Sequence, residues 1–255
     1  MIVVPTIHPS ALLRSSDDAR SEGRFKHIVE ADVQRAAALL RRKPDWDESP
    51  IWSDPQRALF PTLAQVAGFA VNALANTAML WIDVEATGKH AMECELICVG
   101  IGYTDKSGTE HAMCVPFIRR GDRPYWAPDE EPKVRALIED LVRSLPSGFQ
   151  NGSFDTIVLW RHSMPVHRWA EDTMQAHHVV DGEMPHGLAF LASVYTEIPY
   201  YKDSVKGDEA WVHKDDLTLR LYNLRDVLCT MRSFPPLKAE LENSRRGSSQ
   251  TPGPS

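Results

Sequence analysis

The order of apolar patterns between residues 62 and 232 is the feature that most restricts how this chain folds. Three runs typical of β-strands come early, and helical patterns then alternate with short strands. We predict helices over 62–76, 132–145, 154–161, 188–195 and 216–232, strands over 79–85, 96–103 and 111–117, a strand near Phe149, and a strand–helix unit at Asp172 and Thr173. Hairpin-linked strands followed by this alternation predict an α/β fold, in which a mixed sheet carries helices on both faces.

Two carboxylates lie near the end of the first predicted strand. Asp83 and Glu85 overlap the apolar run 78–84, and alternate residues of a strand point to the same face of a sheet. Val84 therefore points the other way, into a core, and Gly88 is typical of the turn that ends the strand. A carboxylate pair that projects from one sheet surface can hold a hard cation.

Two further acidic segments follow in order along the chain. Asp155 lies four residues after Asn151, where the strand near Phe149 turns into an apolar helix, so we expect Asp155 near the helix start. Tyr222 and Asp226 are also four residues apart, within an amphipathic pattern, so both side chains share one helix face. The three segments together predict one acidic site.

The residue types in these segments favour a particular metal chemistry. Mg²⁺ prefers oxygen ligands and keeps several waters, so a few carboxylates and a substrate phosphate suffice without a His or Cys cage. Two such ions about 3.5–4 Å apart can stabilise both the attacking and the leaving oxygen when a phosphodiester is hydrolysed. The sequence therefore predicts a two-metal nuclease site.

Each segment also has a commoner interpretation. An Asp-x-Glu pair occurs by chance in many soluble proteins. Asn151 and Asp155 are equally typical of a turn followed by a helix cap, and Tyr222 and Asp226 of an ordinary pair on a helix surface. The occurrence of all three segments in order, within elements that fit one α/β sheet, favours the metal-site hypothesis.

Residues 61–240 resemble a known family on these motifs. IDVEATG, NGSFD and YNLRD are similar to the three motifs of the DEDD-type 3′→5′ exonucleases of the RNase H-like fold, in the subclass with tyrosine in the third motif. More narrowly, the segment resembles the proofreading exonuclease domain of phage and bacterial DNA polymerases, also over residues 171–203. The resemblance implies a five-stranded mixed sheet and metal-dependent release of nucleoside monophosphates from the 3′ end of DNA.

The resemblance also implies a role for each matching residue. Tyr222 would orient the attacking water, because a phenol with a pKa near ~10 is a poor general base at neutral pH. Thr87, Asn151 and Phe154 would contact the substrate, although Ala86 stands where the family often has a first threonine. The expected ligands of two Mg²⁺ ions, replaceable by Mn²⁺, are Asp83, Glu85, Asp155 and Asp226.

The regions around the exonuclease-like segment differ from it in composition. Residues 1–42, with a predicted helix over 28–42, resemble the C-terminal end of an iron–sulfur-type uracil-DNA glycosylase around His8, but that family's water-activating motif and cluster cysteines are missing from this stretch. We therefore expect no glycosylase activity. Residues 43–60 are predicted to be a linker, and residues 241–255, rich in Ser, Pro and Gly, a disordered tail. No polymerase sequence follows the third motif, so DNA synthesis is not expected.

Charge and cysteine content restrict the partners and the compartment. The net charge of −7 does not favour the wrapping of duplex DNA, so the predicted substrate is single-stranded DNA or a frayed 3′ end. The four cysteines lack zinc spacing and are predicted to be reduced core thiols. Without a spanning helix or signal peptide, the protein is predicted to be cytoplasmic, in a bacterial cell or a phage-infected host.

Two alternatives to a DNA exonuclease stay open at this point. The same site chemistry serves an exonuclease that acts on RNA 3′ ends, because the distinction depends on how the 2′ position of the sugar is accommodated. The other alternative is a non-catalytic exonuclease-like module that partners a separately encoded DNA polymerase.

Overall fold

The computed structural model describes residues 58–198 and 215–248, with side chains described up to residue 243, and two isolated helical positions, Val33 and Ala37. The predicted linker lies almost wholly outside the described residues, as do the rest of the N-terminal segment, including His8, and the end of the tail, 249–255. The described elements are α1 (Leu63–Asn76), β1 (Leu80–Ala86), β2 (Leu96–Thr104), β3 (Glu110–Pro116), β4 (Ile118–Arg119), β5 (Arg123–Pro124), α2 (Glu131–Ser144), β6 (Ser147–Phe149), α3 (Ser153–Arg161), β7 (Trp169–Asp172), α4 (Thr173–Val180), α5 (Leu188–Tyr195) and α6 (Asp216–Ser248).

Five of the strands form one mixed sheet in the order β3-β2-β1-β6-β7. β1 pairs antiparallel with β2 and β2 antiparallel with β3, whereas β6 runs parallel to β1 and β7 parallel to β6. The prediction of an α/β fold with a five-stranded mixed sheet is confirmed. Because β1, β6 and β7 are parallel, their carboxyl ends meet at one edge of the sheet.

Helices cover both faces of this sheet, and alternation along β1 assigns each side chain to a face. Ile82 and Val84 pack into a core that includes buried residues of α1, α2 and α3. Trp81 packs on the opposite face, in a core built with α5 and α6. Asp83 and Glu85 alternate with Val84, so they lie on the face that α6 covers.

Two glycines of β2 allow α6 to approach the sheet closely. A Cβ at Gly100 would lie 2.5 Å from Oδ1 of Asn223, and one at Gly102 would lie 2.6 Å from Cγ1 of Val227. A larger residue at either position would force these side chains, or the helix that carries them, to shift. This contact brings the third sequence motif to the centre of the sheet.

The last helix is longer than the sequence predicts. We expected it to end at residue 232, but α6 continues through Pro235 and Pro236 to Ser248, so residues 241–248 of the predicted tail have a helical backbone. A proline inside a helix costs about 3 kcal/mol. Burial offsets that cost here, because Phe234 packs against Trp81 with ring centroids 4.7 Å apart and Leu237 is fully buried.

All four cysteines are buried free thiols, as predicted. Among the described helices, none combines the length and apolar character needed to cross a membrane.

Candidate active site

The carboxylates of the first motif lie on the face of β1 that the sequence predicts. Asp83 is paired across the sheet with Gly100, and Glu85 with Cys98. Both carboxylate residues are half-buried beside α6. The period-2 pattern of the strand therefore places the two side chains on one surface.

The second motif begins with a turn and continues into α3. Asn151 has φ 59°, the left-handed conformation that Asn tolerates better than most residues, and α3 begins two residues later. Asp155 lies in the first turn of α3 and is only 8% exposed. Its Oδ1 accepts a hydrogen bond from the backbone N–H of Val84 at 2.9 Å. This bond attaches the second motif to β1 at the residue between the two carboxylates of the first motif.

Asp172, at the end of β7, anchors the turn that precedes Asp155. Its Oδ1 accepts from the N–H of Asn151 at 3.0 Å, and its Oδ2 accepts from the N–H of Gly152 at 2.9 Å. The same carboxylate caps α4 by accepting from the N–H of Met174 at 2.9 Å. The sequence indicated Asp172 only as part of a strand–helix unit, and its contact with the second motif was missed. An Asp before Thr at a helix start signals a cap, but nothing in it signals a bond to a turn twenty residues earlier.

The third motif lies on α6. Tyr222 is half-buried, and Asp226 is buried one turn further along the helix. Between them, Asn223 donates from Nδ2 to Oδ2 of Asp83 at 2.8 Å and to the main-chain O of Asp83 at 3.0 Å. A buried amide therefore connects the third motif directly to the first, a contact that no local pattern in the sequence indicates.

The electrostatics of Asp155 show that acidic groups are crowded here. The pKa of the Asp155 carboxyl is raised to about 7, chiefly by burial, which outweighs the lowering by the N–H of Val84, with the charges of Asp172 and Asp226 adding to the rise. The structure thus brings Asp155 close to Asp226 and, through Val84, to the strand that carries Asp83.

These residues fit a hard divalent cation that keeps part of its water shell. In residues 58–198 and 215–243, no three His, Cys, Asp or Glu side chains are grouped as a ready-made metal cage. Crowded, buried carboxylates nevertheless favour a nearby cation, because positive charge stabilises their ionised form. Mg²⁺ is commonly bound by one or two carboxylates, with waters and substrate phosphates completing the octahedron. The donor set matches that mode of binding.

The three predicted substrate-contact residues have different environments. Thr87 closes the turn after β1: its N–H donates to the O of Glu95 at 3.0 Å, and its Oγ1 accepts from the N–H of Glu95 at 2.9 Å. Asn151 is exposed beyond the end of β6, while Phe154 is half-buried and packs against the core on the Val84 face. Thr87 and Asn151 therefore follow neighbouring parallel strands at the acidic edge of the sheet.

The comparisons with known proteins agree with a nuclease fold. No protein-family model and no curated protein matches the sequence. The solved structure of Brucella melitensis NrnC is 25% identical with a TM-score of 0.50, covering 68% of this chain and 78% of that chain. A structure described as the apo form of a nuclease is 22% identical, also with a TM-score of 0.50, covering 71% of this chain and 81% of the other. Both likenesses support the same fold for this chain, and the second of these structures is described as a nuclease.

Proposed function

We propose that this protein is a divalent-metal-dependent exonuclease that releases nucleoside monophosphates from the 3′ end of DNA. The observation that carries the proposal is the meeting of three distant segments at one strand. Asp155 accepts a hydrogen bond from the backbone between Asp83 and Glu85, and Asn223, three residues before Asp226, binds Asp83. The likeness to NrnC supports the same class of enzyme.

The carboxylates serve as metal ligands in this proposal. When bound, two Mg²⁺ ions, which Mn²⁺ can replace, supply charge stabilisation for the attacking and leaving oxygens of the phosphodiester. The contribution of the protein is to hold anionic oxygens at fixed positions on β1, α3 and α6, so that little reorganisation is needed when the substrate binds. The residues assigned to this role are Asp83, Glu85, Asp155 and Asp226.

Tyr222 is assigned to orienting the attacking water. It shares a face of α6 with Asp226, one helical turn away. A phenol holds its proton at neutral pH, so it can donate or accept a hydrogen bond but is a poor general base. Replacing Tyr222 with Phe is expected to slow cleavage and to leave metal binding intact.

The proposed substrate is a single strand or a frayed 3′ end. Thr87 and Asn151 lie at the acidic edge of the sheet, where they can contact the terminal nucleotide, and the half-buried Phe154, which precedes Asp155, is the third assigned contact. A protein with a net charge of −7 is expected to bind weakly and with strong salt dependence, gripping a few nucleotides rather than a duplex.

The test uses 5′-labelled single-stranded DNA and an RNA of matched sequence, each with Mg²⁺ or with EDTA. We expect a ladder that shortens from the 3′ end of DNA, requires the metal and disappears in Asp83→Ala. Asp129→Ala is the matched control, because Asp129 is an exposed carboxylate outside the site whose ion pair, within the described residues, is with Lys133.

Other outcomes of this experiment distinguish the alternatives. Cleavage of RNA in preference to DNA would reassign the substrate and keep the enzyme class. Failure to cleave either nucleic acid would overturn the enzyme and favour a non-catalytic module, which co-purification with a separately encoded DNA polymerase would then identify.

A further inference from the structure

Asn223 combines two unusual features. It is fully buried, and its Nδ2 donates to both the carboxylate and the main-chain oxygen of the same residue, Asp83. Its Oδ1 is buried as well and has no hydrogen-bond partner within the described part of the chain. A buried acceptor without a partner costs about 1–3 kcal/mol. Stability alone would favour an apolar side chain of similar size at this position.

The surrounding backbone is shaped to admit this amide. Gly100 is the residue paired with Asp83 across β1 and β2, and a Cβ there would lie 2.5 Å from Oδ1 of Asn223 and 2.7 Å from Cγ2 of Val227. The amide is therefore held between α6 and the sheet, directly beside Asp83. Only glycine at position 100 leaves room for it without a shift of the helix.

We propose that Asn223 is a positioning residue for the metal-binding carboxylates, an inference that rests on the proposed function. By holding Oδ2 and the main-chain oxygen of Asp83, it fixes the orientation of the Asp83 side chain. Because it lies one residue after Tyr222 and three before Asp226, the same two bonds fix which turn of α6 faces β1. Asn223 thus sets the positions of Asp83 and Asp226 relative to each other without touching the substrate.

A packing role and a positioning role predict different results for Asn223→Leu. Leucine has the same branched shape with four side-chain heavy atoms, removes the unpartnered oxygen and cannot donate to Asp83. A residue that served packing alone would give a variant with unchanged metal binding. Loss of positioning is expected to weaken Mn²⁺ binding about 10–100-fold, the range found when an outer-sphere partner of a metal ligand is removed.

The measurement is a titration with Mn²⁺ followed by electron paramagnetic resonance of the free ion, without nucleic acid, on the full chain. The melting temperature and the kcat and KM for labelled DNA are measured alongside. For Asn223→Leu we expect a melting temperature at or above wild type, weaker Mn²⁺ binding, and a kcat that falls more than KM rises. Wild-type Mn²⁺ affinity and kcat in Asn223→Leu would overturn the assignment.

A glycine pair keeps the test decisive where Asn223→Leu does not fold. Gly100→Ala presses on both Asn223 and Val227, whereas Gly102→Ala presses on Val227 and not on Asn223. Gly100→Ala should weaken Mn²⁺ binding more than Gly102→Ala at a comparable loss of melting temperature, and equal effects would overturn the assignment. A wild-type protein that neither binds Mn²⁺ nor cleaves would instead overturn the proposed function itself.

Discussion

The backbone N–H of Val84 donates to Oδ1 of Asp155 across 71 positions of sequence, at 2.9 Å. Val84 lies between Asp83 and Glu85, so this bond places the second acidic motif beside the first. It also explains how Asp155 is kept in a buried site that disfavours its charge, because an N–H donor offsets part of the cost of removing a carboxylate from water.

Asp155→Asn is expected to separate stability from activity. An amide keeps the shape and an oxygen that can accept from Val84, but it removes the buried charge. In metal-free buffer at pH 8, the melting temperature should be equal to or above that of wild type, because burial and the neighbouring carboxylates no longer oppose an ionised group. Cleavage should fall more than ~100-fold, beyond the ~10–100-fold typical of an outer-sphere change.

Calorimetry and the labelled-oligonucleotide assay check this prediction together. Asp140→Asn, a substitution of an exposed carboxylate on α2, is the matched control and should change neither quantity. Full cleavage by Asp155→Asn would remove Asp155 from the site.

Asp172→Ala is expected to reduce both stability and cleavage. The substitution leaves four backbone N–H groups without their carboxylate acceptor, at Asn151, Gly152, Met174 and Gln175. Loss of a cap costs about 1 kcal/mol and loss of charged, buried hydrogen bonds costs more, so the free energy of unfolding should fall by about 2–4 kcal/mol. Urea unfolding measures that change.

Thr62→Ala provides the control for Asp172→Ala. Thr62 caps α1 through the N–H of Gln65, far along the chain from the acidic motifs. Its loss should cost about 1 kcal/mol and leave the cleavage rate of the folded protein unchanged. If folded Asp172→Ala cleaves as fast as folded Thr62→Ala, the anchoring of the Asn151 turn has no catalytic consequence.

The sequence predicted local parts of this site well and its long-range connections poorly. The positions of Asp83 and Glu85 on one face of a strand, and of Asp155 at a helix start, follow from local periodicity. The bonds from Asn223 to Asp83 and from Asn151 to Asp172 depend on which elements pack together, which no local pattern specifies. The predicted end of α6 at residue 232 was wrong for the same reason, since the free energy gained by burying Leu237 outweighs the cost of the two prolines in the helix.

Three histidine rings near α4 predict how stability depends on pH. Nδ1 of His177 lies 2.7 Å from Nδ1 of His186, and Nδ1 of His178 lies 2.9 Å from Nε2 of His186. Each contact needs one donor and one acceptor, so protonation of all three rings would break both. Burial lowers the pKa of His177, and the charges of His186 and His178 lower it further, while the charge of Asp181 raises it. The rings of Phe190 and Tyr195 also pack next to the His177 ring.

The sign of the effect follows from this lowered pKa. The unfolded chain takes up the proton near pH ~6.5, before the folded protein does, so the contribution of His177 to the free energy of unfolding should decrease as pH falls below ~6.5. The raised pKa of Asp155 contributes with the opposite sign, so the measurement is the difference between wild type and His177→Phe in urea unfolding from pH 8 to pH 5. That difference should shrink as pH falls, whereas His167→Asn, at an exposed position, should give a curve parallel to wild type. Parallel curves for wild type and His177→Phe would exclude the cluster as the cause.

The extension of α6 beyond residue 232 can be tested with two adjacent residues. Leu237 is fully buried and packs in the cluster that contains Leu191 of α5. The side chain of Lys238, in contrast, is half-exposed, and its Nζ lies 4.0 Å from Oε1 of Glu171. Leu237→Ala should lower the free energy of unfolding by about 2–5 kcal/mol, the usual range for a core leucine. Lys238→Ala should change it by less than ~1 kcal/mol, because an exposed ion pair contributes little. Urea unfolding compares the two directly, and equal, small effects would mean that the helix beyond the prolines does not belong to the core.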